Sequence, residues 1–248
     1  MQFFGKFTEV HELEYLTKSY IYIPFKDEER QDIPIDIDEL NKLLKKKSKN
    51  IAGTVFLYNP TTAPIGYKSE EKLYPQGFKI DDKYYELNID HATRVVGRGL
   101  KKYQGQLIEV KYLFTYNKAD IQPTSTLEVF DMDLEKLHTN LLTVFAKNDN
   151  FHDYKNISYN GKFIFFAWGH KFDRHHSNIA LYASNIAQYA KKAGKEIGFI
   201  YDGVMDKDES FEYTRFIHPR AFGKLKLLIG PAVETLFSKD TIEPYRIK

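Results

Sequence analysis

Apolar residues fall into five short runs along the chain, each halted by polar residues, glycine or proline. Thr54 to Tyr58 (TVFLY) is unbroken and stops at Asn59 and Pro60. A run without alternation reads as a strand covered on both faces, and Pro60 lacks the N–H that the next ladder bond needs. Leu107 to Phe114 (LIEVKYLF) gives way to Thr115 to Asn117, and Lys162 to Ala167 (KFIFFA) to Trp168, Gly169 and His170. Glu196 to Tyr201 (EIGFIY) stops at Asp202 and Gly203, and Phe211 to Ile217 (FEYTRFI) at His218, Pro219 and Arg220.

Helical periodicity lies between these runs. Asp36 or Asp38 is the expected N-cap of a helix to about Lys47, with Ile37, Leu40, Leu43 and Leu44 on one face. Asp90 caps a second, His91 to Tyr103, which Gly97 and Gly99 weaken. Asp131 to Phe145 carries Leu134, Leu137, Leu141 and Leu142 on one side. Ser177 opens a helix from Asn178 to Lys192, its Ile179, Tyr182, Ile186 and Tyr189 stripe packing inward and Gly194 stopping it. Met1 to Pro34 alternates in places (Leu13, Tyr15, Tyr20, Tyr22) and predicts an edge hairpin. Pro60 to Leu87 has no sustained period and reads as a long functional or surface loop, with FKIDDKYYEL a small hairpin turning at Asp81 and Asp82.

Strands alternating with helices predict an α/β fold: a three-layer α/β/α sandwich with a central, mostly parallel sheet. One domain over 1–248 is expected, an N-terminal hairpin extension to residue 50 and a core over 51–228; 248 residues with 42% hydrophobic content can supply such a core. Ligands of open α/β sheets bind beyond the carboxyl ends of the strands. Five polar strand ends would then form one crater.

The chain has no cysteine, so disulfide and thiolate chemistry are excluded and a reducing, cytoplasmic setting is expected. It has no apolar stretch of membrane-spanning length. Net charge is only +2, so binding of a polyanion must come from local clusters. Lys42 to Lys49 and Lys191 to Lys195 read as solvated helix faces, whereas Arg94, Arg98, Lys101 and Lys102, and Arg215 to Lys226, flank the expected crater. Gly97-Arg98-Gly99 lacks the spacing of a nucleotide-binding fingerprint. With 18 Tyr and 19 Phe, stacking on bases is available as well as core packing.

VFLYNPTTA, DHATRVVGRGLKKYQGQLIEVKYLF, FFAWGH and FIHPRAFG, spread over roughly Ile51 to Leu228, resemble a bacterial family of domains of unknown function. Its members run strand, Asn-Pro-Ser/Thr, Asp-led helix, Asn-Leu-Phe, Ala-Trp-Gly and a late His-Pro. That order in turn looks like the uracil-DNA glycosylase superfamily, with its first motif ending in Asp-Pro or Asn-Pro, its Trp-Gly strand end and its His-Pro second motif. The resemblance implies base excision from a flipped nucleotide. Asn59 would match the residue that positions water, Pro60, Thr61 and Thr62 the pocket wall, and His218 the histidine that stabilises the departing base. Pro219, Arg220, Ala221 and Phe222 would match the loop that pushes into the duplex. Two departures stand out: Tyr112 where the unknown-function family has Asn, and Arg220-Ala221-Phe222 where the uracil enzymes carry Ser-Pro-Leu.

These residue types also suit N-glycosidic cleavage in their own right. Breaking the bond leaves positive charge on the sugar and negative charge on the base, so a donor near the base and a held water near the anomeric carbon are required. His218 can supply the first and Asn59, which cannot act as a strong base, the second. Tyr58, Phe114 and Trp168, with Gly169, could enclose the flipped ring, and Asp90 and Tyr112 line the same end. Phe222 or Arg220 would fill the vacated stack, and Arg94, Arg98, Pro219 and Lys224 would hold the DNA.

The bland alternatives are an Asx-type turn cap for Asn59, a satisfied strand-end histidine for His218 and a core residue for Trp168. Asp202 could position His218 or the sugar, or serve a turn. His170, His175 and His176 with Asp173 match no usual ligand spacing, so neither metal nor cofactor is expected. No serine nucleophile elbow is present. The long loop and the aromatic content favour DNA carrying a bulky modified pyrimidine, as in bacteriophage genomes, hence antiviral defence, with no membrane and no obligate protein partner inferred. A non-catalytic nucleic-acid or nucleotide-binding module on the same fold is the alternative, and a nucleoside or nucleotide-sugar hydrolase the third reading.

Overall fold

The computed structural model describes residues 1–10, 13–57, 62, 64–65, 83–112, 160–167, 186–202, 217, 219 and 225–247. They build a mixed α/β fold around one eight-stranded sheet. Its strands are β1 (Gln2–Val10), β2 (Leu13–Tyr22), β3 (Ile51–Leu57), β4 (Tyr84–Glu86), β5 (Leu107–Tyr112), β6 (Phe163–Ala167), β7 (Glu196–Tyr201) and β8 (Tyr245–Arg246). They lie in the order β4-β1-β2-β5-β3-β6-β7-β8. From β5 through β8 every pairing is parallel, and from β5 back to β4 every pairing is antiparallel.

The expected hairpin exists as β1 and β2 but is not at an edge. β2 pairs with β5, and the three residues of β4 cover the outer side of β1. Phe3, Phe7 and Ile21 enter the same apolar cluster as Val55, Val110 and Phe165, so the N-terminal residues are continuous with the core. Of the expected FKIDDKYYEL hairpin, Tyr84–Glu86 pairs with β1; its Asp81-Asp82 turn lies outside the described residues.

The parallel strands are apolar because both faces are covered. Val55, Leu57, Ile108, Val110, Tyr112, Phe163, Phe165 and Ala167 point into a core shared with α3 (His91–Gly99) and the long C-terminal helix, Leu225–Ser238, here α4. Phe4, Tyr20, Tyr22, Ile51 and Leu107 point to the other face, where Leu40 of α1 (Ile37–Lys45) covers them. A short α2 (Lys47–Asn50) joins α1 to β3. Asp36 is the N-cap of α1, accepting from Glu39 N at 2.8 Å. α3 gives way to a 3₁₀ turn, Leu100–Tyr103, so the helix expected to reach Tyr103 tightens before it ends.

Gly97 and Gly99 have a packing reason. A β-carbon on Gly99 would come within 2.7 Å of Phe237 and 3.0 Å of the Val233 carbonyl on α4, and one on Gly97 would strike Met1. Of the helix expected from Asn178, residues 186–192 are described and helical, and Gly194 closes it at φ +70°. The helix expected over Asp131 to Phe145 lies outside the described residues. Among the described residues no helix is long and apolar enough to cross a membrane.

Candidate functional site

The parallel register sets the carboxyl edge of the sheet. Leu57 stands opposite Tyr112 on one side and Ala167 on the other, so β5, β3 and β6 end level with one another. Phe166 pairs with Phe199, which carries β7 to the same edge with Tyr201 and then half-buried Asp202. The described parts of β5, β3, β6 and β7 therefore end on one side of the sheet.

The fifth expected end arrives by a different route. Successive strand residues direct their backbone groups to alternate sides. Tyr201 O accepts from Ile247 N beyond β8 at 2.9 Å, so Ile200 O faces β6, and Ile217 N donates to it at 2.7 Å. Ile217 thus sits against β7 on the side that faces β6. Its side chain is buried in the cluster that holds Leu57 and Ala167. Leu57 and Ile217 lie one to two strand spacings apart, about 5–10 Å across the sheet. Residues 211–216 of the expected last strand lie outside the described residues, as do Tyr58, Asn59, Pro60, Thr61, Phe114, Trp168, Gly169, His218, Arg220, Ala221, Phe222 and Lys224. So do Asp173, His170, His175 and His176; among the described residues no group of three or more His, Asp or Glu could hold a metal.

Asp90, Thr62, Tyr112 and Pro219 are described. Asp90 is the N-cap of α3: its carboxylate accepts from Thr93 N at 2.7 Å and so fixes the helix start beside the strand ends. Thr62 is buried, its hydroxyl donating to Asn88 O, while Asn88 Nδ2 donates to Pro64 O at 3.2 Å. These bonds, with the Pro64–Leu87 bridge, tie the chain just after β3 to the segment leading into α3. Pro219 is buried in a turn two residues after Ile217.

Tyr112 is 1% exposed and belongs to the core beneath the edge. Among the described residues its Oη is buried and completes no hydrogen bond of ordinary geometry, as is true of Thr93 Oγ1. Ser19 Oγ lies close and eases ionisation slightly, while its own proton goes to Val110 O at 3.0 Å. Burial, and secondarily the Asp90 carboxylate, push the Tyr112 phenol well above its ordinary pKa, so it stays a neutral hydroxyl at any physiological pH.

Arg94 and Arg98 are exposed on the outer side of α3. Arg94 donates to Ile89 O at 3.2 Å, and the Arg98 guanidinium lies 4.0 Å from where a β-carbon would sit on Gly230.

One polar group escaped the reading of the sequence. Glu109, 9% exposed in the middle of β5, accepts from Asn160 Nδ2 at 2.9 Å, lies 3.3 Å from Lys111 Nζ and meets Thr54 Oγ1 at 3.4 Å. A carboxylate inside LIEVKY was the available signal. Its bonds join β3, β5 and the turn before β6, so it braces the strands that carry the edge. Comparison with protein-family models, curated proteins and solved structures gave no match to this chain.

Proposed function

We propose that the protein is a DNA glycosylase that cleaves the N-glycosidic bond of an extruded base, a bulky modified pyrimidine being the favoured substrate and antiviral defence the setting. The observation that carries this reading is the shared edge: Leu57, two residues before Asn59 and at the carboxyl end of β3, and Ile217, immediately before His218 and hydrogen-bonded to Ile200 near the carboxyl end of β7, belong to one buried cluster. That supports bringing Asn59 and His218, 159 positions apart in sequence, to one opening. The rule that parallel crossovers are right-handed supports a helix layer on each face: β3 to β5 and β6 to β7 advance in opposite directions across the sheet, which puts their connecting helices on opposite sides.

In this mechanism the bond between the anomeric carbon and the base nitrogen breaks with its electron pair going to the base. The His218 imidazole donates a hydrogen bond to that developing anion. Asn59 holds a water through its carboxamide, and the water adds to the cationic sugar carbon and loses a proton to solvent. Thr62 and Asp90 hold the loop and helix that frame the opening, and Tyr112 supports them from below.

The test is release of free base, followed by mass spectrometry, from phage DNA containing modified pyrimidines and from unmodified DNA. Asn59→Ala and His218→Ala should each cut the rate by about 10²- to 10⁴-fold with folding intact. Equal rates in wild type and both variants, or DNA binding with no base released, would end the assignment.

A further inference from the structure

We propose that the outer face of α3 and the 3₁₀ turn that follows it is a phosphate track, carrying the backbone of one nucleic-acid strand away from the strand-end opening. His91, Arg94, Arg98 and Lys101 are all exposed, and their spacings of three, four and three residues place them along one side of the helix. The row is about 15 Å long at helical rise, enough to lie against several successive phosphates, which follow one another at about 3.4 Å of axis along one strand. It begins beside the Asp90 cap, at the level of the Tyr112 strand end, and runs back along the sheet.

Three features separate this row from an ordinary solvated face. Residues 91–103 contain no Asp or Glu. Among the described residues none of the four side chains joins an ion pair, whereas Lys26, Lys42, Lys111, Lys162 and Lys239 each hold a carboxylate. The row is also internally repulsive: the Arg94–Arg98 and Arg98–Lys101 pairs are like charges at neighbouring positions, and Arg94 is in the first turn, where the macrodipole disfavours cations, although Arg98 and Lys101 stand at the end where it favours them. No carboxylate of residues 91–103 offsets the repulsion along the row, so an external anion is the natural partner.

A nucleic-acid backbone matches better than a lipid surface. An interfacial helix needs an apolar stripe facing outward beside its cations. The apolar residues of α3, Val95 and Val96, are instead buried in the core. Lys102, which donates to Lys239 O at 2.6 Å, is held to one side. Only the point at which the strand meets the opening rests on the glycosylase reading; the track itself requires no chemistry.

The experiment is fluorescence anisotropy of a labelled, unmodified single strand and of its duplex, titrated with full-length protein across about 50–200 mM KCl. R94Q/R98Q/K101Q should lower the log–log salt slope by about 2 to 3, and K101Q alone by about 0.7 to 0.9. K42Q/K45Q/K46Q, the same charge change on α1, should leave it unaltered. An unchanged slope in the triple variant, an equal fall in the α1 control, or binding to phosphatidylserine vesicles in preference to both DNAs would overturn the track. Because no base need be released, failure here leaves the glycosylase reading standing, and loss of the glycosylase reading leaves the track standing.

Discussion

Replacing Tyr112 by Phe should make the protein more stable, although the side chain is among its most deeply buried. The ring lies in the buried cluster that also holds Val110, Leu57 and Ile217 and would keep its place there. What is lost is Oη, which is shielded from water and, among the described residues, completes no hydrogen bond of ordinary geometry, Ser19 Oγ being its nearest polar neighbour. Burying a hydroxyl unpaired costs about 1–3 kcal/mol, whereas removing one oxygen from a packed site forfeits only a small dispersion term. A net gain of about 1 kcal/mol follows, or a rise of about 2–4 °C in Tm for a chain of this size. The pH dependence has a definite sign. Because the folded-state pKa is raised, the phenol's contribution is constant below the unfolded value near 10 and is lost above it, when the unfolded chain ionises and the folded one cannot. The advantage of Tyr112→Phe should therefore be flat around neutrality and widen above about pH 10. Urea denaturation followed by far-UV circular dichroism at both pH values measures it. A variant less stable than wild type by 1 kcal/mol or more would show that the hydroxyl has a partner, and the account of this buried wall would be wrong.

Gly99→Ala should destabilise by about 1–3 kcal/mol in the same assay: the new methyl meets Val233 O at 3.0 Å, and no side-chain rotation relieves a clash with backbone. Asp90→Ala removes the cap bond to Thr93 N and should cost about 0.5–2 kcal/mol, with the exchange of amide protons in the first turn of α3 accelerating most. For Glu196, burial raises the pKa, but Ile242 N–H at 3.0 Å and Lys162 at 2.7 Å together outweigh it and hold the carboxylate below its ordinary range. Its contribution is therefore present above the unfolded pKa and lost as pH falls through the lower folded one, so thermal melts of Glu196→Gln should show a shallower loss of stability on acidification than wild type.

The strands that carry the edge were legible because burial on both faces leaves an unbroken apolar run. EIGFIY is β7 to the residue, KFIFFA loses only Lys162, LIEVKYLF is strand through Tyr112 with its last two residues outside the described ones, and Asp36 and Asp90 announce their helices by capping. β3 begins at Ile51, earlier than the run TVFLY suggests, because Gly53 looks like a break in isolation; in the sheet the Phe163 ring fills the place its side chain would take. α4 was missed for a related reason. Gly230 and Pro231 stand in its middle and argue against a helix locally, yet Ile229, Ala232, Val233, Leu236 and Phe237 are buried on α3 and the sheet. β4 and β8, of three and two residues, are too short to carry a period and exist only through their neighbours.

The position of the candidate site depends on registry, a long-range property that no single run contains. TVFLY ends at a proline whatever surrounds it, but only the pairing of Leu57 with both Tyr112 and Ala167 makes that end level with two others. α3 then departs from good helix design on both sides at once. Inward, Gly97 and Gly99 give up about 1 kcal/mol each of propensity to let Met1 and α4 approach. Outward, Arg94 occupies the first turn and like charges repel along the row. The inward departure is explained by atoms of the protein itself. The outward one has no counterpart among the described residues, and the same test of consistency that accounts for the glycines therefore directs the search for its partner to an anion outside the chain.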